Sequence, residues 1–184
     1  MKKIISFLII TTSLTVNLLA QKSYKISLEK SKFSWTGYAS VGSYAPTGSL
    51  KCNFGNLTYK GKSITNAFFQ FDMKTISHEN ADMQKHLRGD DFFDVEKYPT
   101  ASFKLEKTVG GLATGILKIK SVQKRITFPF KINVSQNLVL IEAKINVNRT
   151  DFGIKYNSTS FFTDLGDYAI KDNFDFDISI VVNK

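Results

Sequence analysis

Apolar and polar residues alternate with period two through most of this chain, the spacing that places every second side chain on one face of a strand. Phe33 and Trp35 share one such face, as do Gly48, Leu50, Cys52 and Phe54, and then Ala67, Phe69, Phe71 and Met73. The pattern returns at Ala101, Phe103 and Leu105, at Gly115, Leu117 and Ile119, and at Ile126, Phe128, Phe130 and Ile132. Val139, Ile141, Ala143, Ile145 and Val147 follow, and Phe174, Phe176, Ile178 and Ile180 complete eight predicted strands. Turn residues separate them: Gly55-Asn56, Lys60-Gly61-Lys62, Gly110-Gly111, Ser121-Val122-Gln123-Lys124 and Ser135-Gln136-Asn137. Pro129, inside an alternating run, predicts an edge, a bulge or a rim.

One helix interrupts the strands. Ser77 or Asn80 can cap it, Met83 and Leu87 lie one turn apart on one face, and Gly89 stands where the helix stops. From His86 the chain crosses a run of carboxylates and Phe92-Phe93, then re-enters a strand after Tyr98-Pro99. This long helix-to-strand connection has no hairpin logic, and long structured connections usually carry a task. Residues 153–170 read as a second long loop. Eight short antiparallel strands suit a sandwich or a closed barrel. The 16 Phe favour the barrel, because large rings on one strand face can line an interior wide enough for one slender ligand. Gly37, Gly42, Gly48 and Gly115 suit strands that bend.

The N-terminal residues 1–20 read as a secretory signal: Lys2 and Lys3, an apolar stretch from Ile4 to Val16, then Leu18-Leu19-Ala20 before Gln21. The expectation is a periplasmic or secreted protein, with no Cys placed for lipoprotein processing and residues 21–184 forming one domain. Loss of Lys2 and Lys3 lowers the formal charge from +9 to +7. That balance leans towards anionic surfaces, with membrane contact among the expected partners, but the lysines are scattered singly. The basic block that a nucleic-acid binder needs is missing. Cys52 is the only cysteine, so no intramolecular disulfide forms, and its place in an alternating run predicts a buried, inert thiol.

Catalytic patterns are absent. His78 and His86 are too far apart for a one-turn metal pair. With the neighbouring carboxylates they read as a solvated acidic loop, and no metal or cofactor is expected. No nucleophile elbow, phosphate loop or dinucleotide glycine pattern occurs. Arg149-Thr150-Asp151-Phe152-Gly153 predicts a fixed corner, with Arg149 either paired to Asp90 or Asp91 of the acidic stretch or holding an anionic head group. Arg88 is expected to satisfy the last carbonyls of the helix.

The string from His86 to Pro99, His-Leu-Arg-Gly-Asp-Asp-Phe-Phe-Asp-Val-Glu-Lys-Tyr-Pro, resembles the signature of the YceI-like family of exported polyisoprenoid-binding proteins. Three further strings agree in order: the hairpin from Gly115 to Lys124, the corner Asn148-Arg149-Thr150-Asp151-Phe152-Gly153-Ile154, and the final run to Val182. Two departures stand out. Ser121 replaces a usual turn glycine, and Trp35-Thr36-Gly37-Tyr38 replaces a run around a His, so no head-group role transfers to that position.

The resemblance implies a lipocalin-like barrel holding one long amphiphile (a polyisoprenoid, an isoprenoid quinone or a fatty-acid derivative) and no catalysis. The expected lumen lining is Phe33, Trp35, Phe69, Phe71, Phe103 and Leu117, continued by Phe128, Phe130, Ile145, Phe174 and Phe176. Phe92, Phe93 and Tyr98 are expected to form a lid or plug. Transport, storage and stress protection all remain open, as do monomer and homodimer. The contrasting reading is an exported structural or partner-binding protein whose aromatic interior is a solid core.

Overall fold

The computed structural model describes residues 22–183. The expected signal peptide therefore lies outside the described residues. Among the described residues, nine strands form one antiparallel sheet: β1 (Tyr24–Lys25), β2 (Lys32–Thr36), β3 (Thr47–Lys60), β4 (Ser63–Ser77), β5 (Thr100–Val109), β6 (Leu112–Ile119), β7 (Val122–Val134), β8 (Leu138–Asn148) and β9 (Asn173–Asn183). Their order is β1-β3-β2-β9-β8-β7-β6-β5-β4, and a further β3–β4 ladder joins the ends. All strands but β1 thus close into an eight-stranded antiparallel barrel, which leaves no long free edge. The short β1 extends the wall where β2 stops, pairing Tyr24 with Leu57.

The two ends of the barrel differ. One carries the tight hairpins at Gly61, at Gly110-Gly111 and at 135–137. Gly110 and Gly111 both have positive φ, 59° and 78°, as a two-residue hairpin with the right twist requires. Residues 26–31 cross this end: Ile26 N–H donates to Gly55 O at 3.0 Å and Ser27 N–H to Val181 O at 2.7 Å. Ile26 of the crossing and Leu57, Val139 and Val182 of the wall are buried at this end, each contributing about 1.5–3 kcal/mol, and form a floor. The opposite end receives the three long connections: 37–46, the helical 78–99, and 149–172. Only the short β6–β7 turn at 120–121 accompanies them, and its conformation is set by Lys120 at φ 52°.

Several expectations from periodicity are corrected by the register. Gly55-Asn56 is not a turn; β3 runs straight through it. A Cβ at Gly55 would lie 2.6 Å from the Ile26 side chain, so the glycine makes room for the floor. The β3–β4 ladder slips between Cys52 and Phe54, which inverts the inward phase. Leu50, Cys52, Gly55 and Leu57 therefore point in, whereas Phe54 is exposed. Gly48 lets β3 cross β4 and Trp35 closely, since a Cβ there would sit 1.8 Å from Ser77 O. The β6–β7 turn is confined to Lys120-Ser121, and Val122, Gln123 and Lys124, expected in the turn, already pair with β6 as strand residues.

Pro129 acts within the wall. Phe130 N–H donates towards β6, to Gly111 O at 3.0 Å, so by alternation the missing Pro129 N–H is one that would face β8. The β7–β8 ladder accordingly starts only at Phe130–Ala143 and continues to Val134–Val139. Towards the loop end β7 and β8 part, and the 3-10 turn Arg149–Phe152 packs against β7, with Lys124 Nζ 3.8 Å from Asp151.

The helix α1 (Ala81–Arg88) is capped by Asn80, whose side chain accepts from Met83 N–H at 2.9 Å. Leu87 is buried and Met83 packs on the core, as their spacing predicted. Gly89 ends the helix in an extended conformation, φ −66°, rather than a left-handed one. Arg88 does not cap the helix; its Nε and Nη2 donate to Ile76 O at 3.1 and 2.9 Å, tying α1 to the end of β4.

Candidate functional site

The barrel axis is hollow. Side chains from every strand of the closed ring line the space, among them Phe33, Leu50, Phe71, Phe103, Leu117, Phe128, Ile145 and Phe176. The cavity volume is about 140 Å³. An eight-stranded ring leaves an interior that suits one slender ligand, and the lining here is almost wholly apolar.

Every residue expected in the lumen faces it: Phe33, Trp35, Phe69, Phe71, Phe103 and Leu117, then Phe128, Phe130, Ile145, Phe174 and Phe176. The rings are ordered by edge-to-face and tilted contacts: Phe33–Phe71 at 5.1 Å, Phe71–Phe176 at 6.2 Å, Phe103–Phe128 at 5.4 Å. Gly115 is needed for this stacking, because a Cβ there would lie 2.5 Å from the Phe103 ring. The smaller Ala67, Ala101, Ala113 and Ala143 leave the central space open. Sequence reasoning missed Ile170 and Lys171, which come from an irregular loop with no period to read.

At the loop end the lumen meets residues 89–99. Phe93 N–H donates to Leu87 O, Asp94 N–H to Gly89 O at 2.7 Å and Val95 N–H to Arg88 O, which winds this segment onto the helix end. Phe92 and Phe93, with ring centroids 5.3 Å apart, project into the lumen, and Lys120 Nζ holds Phe92 O at 3.1 Å. Tyr98 does not join them: it lies outside the lumen, under the ammonium groups of Lys97 and Lys120. Lys171 and Asn173 both line the lumen and are exposed, so the space reaches the surface beside them.

Arg149 is buried, but its partners are not those expected. Its Nε donates to Lys171 O at 3.1 Å, Nη1 to Ile154 O at 3.0 Å and Nη2 to Ile170 O at 3.1 Å. Asp172 stands 3.6 Å away, and burial depresses the guanidinium pKa against the opposing pull of that carboxylate. Asp90 and Asp91 form no pair with Arg149. Asp90 accepts from Asp91 N–H at 3.0 Å, and Asp91 lies 3.7 Å from His86 Nε2. Backbone carbonyls satisfy Arg149 because the corner folds back onto 170–172, a proximity that no side-chain pattern encodes.

The remaining polar chemistry lies off the lumen. Asp175 accepts from Tyr38 Oη at 2.5 Å and Asn146 Nδ2 at 2.7 Å, with Lys144 Nζ at 3.2 Å. Burial pushes the Asp175 pKa up, but these bonds outweigh it and hold the carboxyl below its usual value. The Cys52 thiol points inward opposite Phe71 but is not among the residues that line the lumen; it is buried and pushed up by desolvation. His86 packs against Tyr156 at 4.3 Å and His78 against Trp35 at 5.9 Å. Among the described residues no group of three or more His, Cys, Asp or Glu could hold a metal.

Comparison with known proteins matches this architecture. The chain is 30% identical, over 81% of its length and 77% of the relative's, to an UPF0312 protein of Pseudomonas putida strain W619. Its fold resembles Burkholderia cenocepacia BcnA with a TM-score of 0.72 at 19% identity, covering 85% of this chain and 98% of that one. It also resembles a polyisoprenoid-binding domain from Saccharophagus degradans implicated in plant cell wall breakdown, with a TM-score of 0.66 at 12% identity over 87% and 97% of the two chains. The YceI-like domain matches residues 24–182, nearly all that is described, and the chain belongs to the YceI-like family.

Proposed function

We propose that this protein is an exported, non-catalytic binding protein that holds one long-chain amphiphile in the barrel lumen. The observation that carries the reading is the slender, almost wholly apolar space bounded by all eight strands of the ring. Polyisoprenoids, isoprenoid quinones and fatty-acid derivatives share the shape it suits. Each buried methylene contributes about 0.8 kcal/mol, so some ten of them supply roughly 8 kcal/mol before the entropy lost on binding. The head group faces the outlet beside Lys171 and Asn173, and Phe92 with Phe93 act as a lid. Arg149, already engaged with three carbonyls, serves the corner rather than a head group.

The open lumen favours this reading over a solid-core structural protein. Export rests on the N-terminal sequence, and N-terminal sequencing of the mature protein tests it. For the ligand, the purified protein is examined by native mass spectrometry and by solvent extraction. A co-purified long-chain species, or stoichiometric uptake of added farnesol or palmitic acid, is the expected result. A protein that carries none and takes up none refutes the proposal.

A further inference from the structure

Five large apolar side chains stand exposed on two loops at one end of the barrel: Val41 (58%), Tyr44 (61%), Phe161 (47%), Phe162 (50%) and Tyr168 (80%). Leaving so much apolar surface in water is unfavourable, and clustering it is rarer still. The loops are not loose neighbours. Ser40 N–H donates to Ala169 O at 2.8 Å, Lys171 N–H to Tyr38 O at 2.9 Å, and Ala39 bridges Ile170. The Phe161-Phe162 tip is itself built: both N–H groups donate to Ser158 O, and Ser160 Oγ donates to Asp172 at 2.6 Å. Lys155 Nζ lies 4.4 Å from the Phe161 ring centre.

These loops also border the lumen, because Gly37, Ile170 and Lys171 line it. The exposed aliphatic residues at the other end are Leu28 on the crossing and Val109, Leu112, Val134 and Leu138 flanking tight hairpins, and the packed floor lies on that side. We propose that the aromatic rim of 37–46 and 153–172 is a membrane-docking surface, which seats the lumen outlet on a lipid bilayer so that an amphiphile can pass between membrane and barrel. This deepens the lipid-binding reading and rests on it. A bilayer, rather than a second copy, fits because the rim borders the outlet of an apolar space. A water-insoluble chain crosses that outlet without meeting water only if the outer side is also apolar. Tyr44 and Tyr168 suit the headgroup level, and Lys155 can extend from buried Phe161 to the lipid phosphates.

Charge does not drive the docking. Lys155 and Lys171 on the longer loop are balanced by Asp164 and Asp167, with Asp172 held next to Arg149. Docking should therefore survive on neutral lipid and tolerate salt, unlike attachment through a polybasic patch.

The test is co-sedimentation of the mature protein with vesicles of pure phosphatidylcholine, and with vesicles that also contain phosphatidylglycerol. Three proteins are compared: wild type, Phe161→Ser/Phe162→Ser, and the opposite-end control Val109→Ser/Leu112→Ser. Neither pair lines the lumen, and uptake of palmitic acid from solution is measured on all three. Expected is partition of wild type and control to both vesicle types, and a loss of roughly tenfold or more in the tip variant with palmitic acid uptake unchanged. Equal partition of the tip variant and wild type overturns the proposal, as does an equal loss in the control. Self-association of wild type through the tip residues, seen by sedimentation velocity without vesicle binding, overturns it in favour of a contact between copies. Palmitic acid uptake without vesicle binding overturns the docking alone. Vesicle binding lost in the tip variant, with no uptake by any of the three, upholds the docking surface and refutes the lumen reading.

Discussion

Replacing Ala101 with Leu distinguishes a hollow barrel from a filled one. Ala101 lies on β5 opposite Phe71 of β4, is buried, and faces the lumen. Leucine adds three heavy atoms to the space a ligand would occupy. At about 0.8 kcal/mol per displaced methylene, a chain long enough to fill the lumen loses roughly 2.4 kcal/mol, or about fiftyfold in affinity. A chain too short to reach Ala101 loses nothing. Isothermal titration with fatty acids of increasing length should therefore show affinity rising to a plateau, and the plateau should arrive earlier in the variant. Stability moves the other way. The lipid-free variant should unfold at equal or slightly higher urea, because apolar atoms are buried in free space and only about 0.5–1 kcal/mol of rotamer entropy opposes them. In a solid core the same change overpacks and costs about 1–3 kcal/mol. Ser102→Leu, one residue along and on the outer face, should alter neither curve. A variant destabilised by that overpacking cost, with an unchanged chain-length profile, would falsify the hollow-barrel argument.

Arg149→Met should destabilise the fold by about 3–5 kcal/mol in urea, since three carbonyls lose their donors at roughly 1–3 kcal/mol each. A loss below about 1 kcal/mol would refute the structural role assigned to that side chain. The Asp175 carboxyl is held below its ordinary value of 3.8, so its contribution is complete above that value and disappears as pH falls through the depressed one. Asp175→Asn should lower stability at neutral pH and flatten the acid limb of a stability–pH profile; an unchanged limb refutes the assignment. A long-chain amphiphile at a hundred times its Kd should add about 2.7 kcal/mol to the lipid-free protein. For a chain of this size that raises Tm by roughly 5–10 °C, readable by differential scanning fluorimetry. No shift at saturation would mean that nothing occupies the lumen.

Strand existence and the inward face of most strands were legible in the sequence, because a half-buried strand must alternate and this chain alternates almost without interruption. Closure was less so: a strand's pattern states what it buries, not which neighbour it pairs with. The failures cluster where one residue shifts the phase. Phe54 belongs to the inward set of β3 by spacing, yet the slip after Cys52 turns it out and turns Gly55 in. Gly55-Asn56 carries turn chemistry, but the glycine serves Ile26, a contact from outside its own hairpin. Arg149 illustrates a different limit, since carbonyl acceptors are common to every residue and leave no trace in side-chain identity. The exposed rim gave a faint local signal, adjacent Phe161 and Phe162 in an otherwise polar loop, which period-based reading passes over.

The arrangement of the two ends says where the barrel can open. At the hairpin end, admitting a chain would require displacing the 26–31 crossing and the packed Leu57, Val139 and Val182, then separating ladders that continue around the ring. At the loop end, the obstacles are Phe92 and Phe93 on a segment outside the sheet, fastened by a few backbone bonds, Lys120, and ring contacts to His86 and Tyr156. Local opening follows the smallest loss of contacts, so this segment can move while the ring stays closed. The shortened β7–β8 ladder points the same way. By ending the ladder at Phe130, Pro129 leaves both strands free to splay only on the loop side, where the Arg149 corner braces them. Stability thus resides in the closed wall and the floor, and access resides in the loops that the wall does not need.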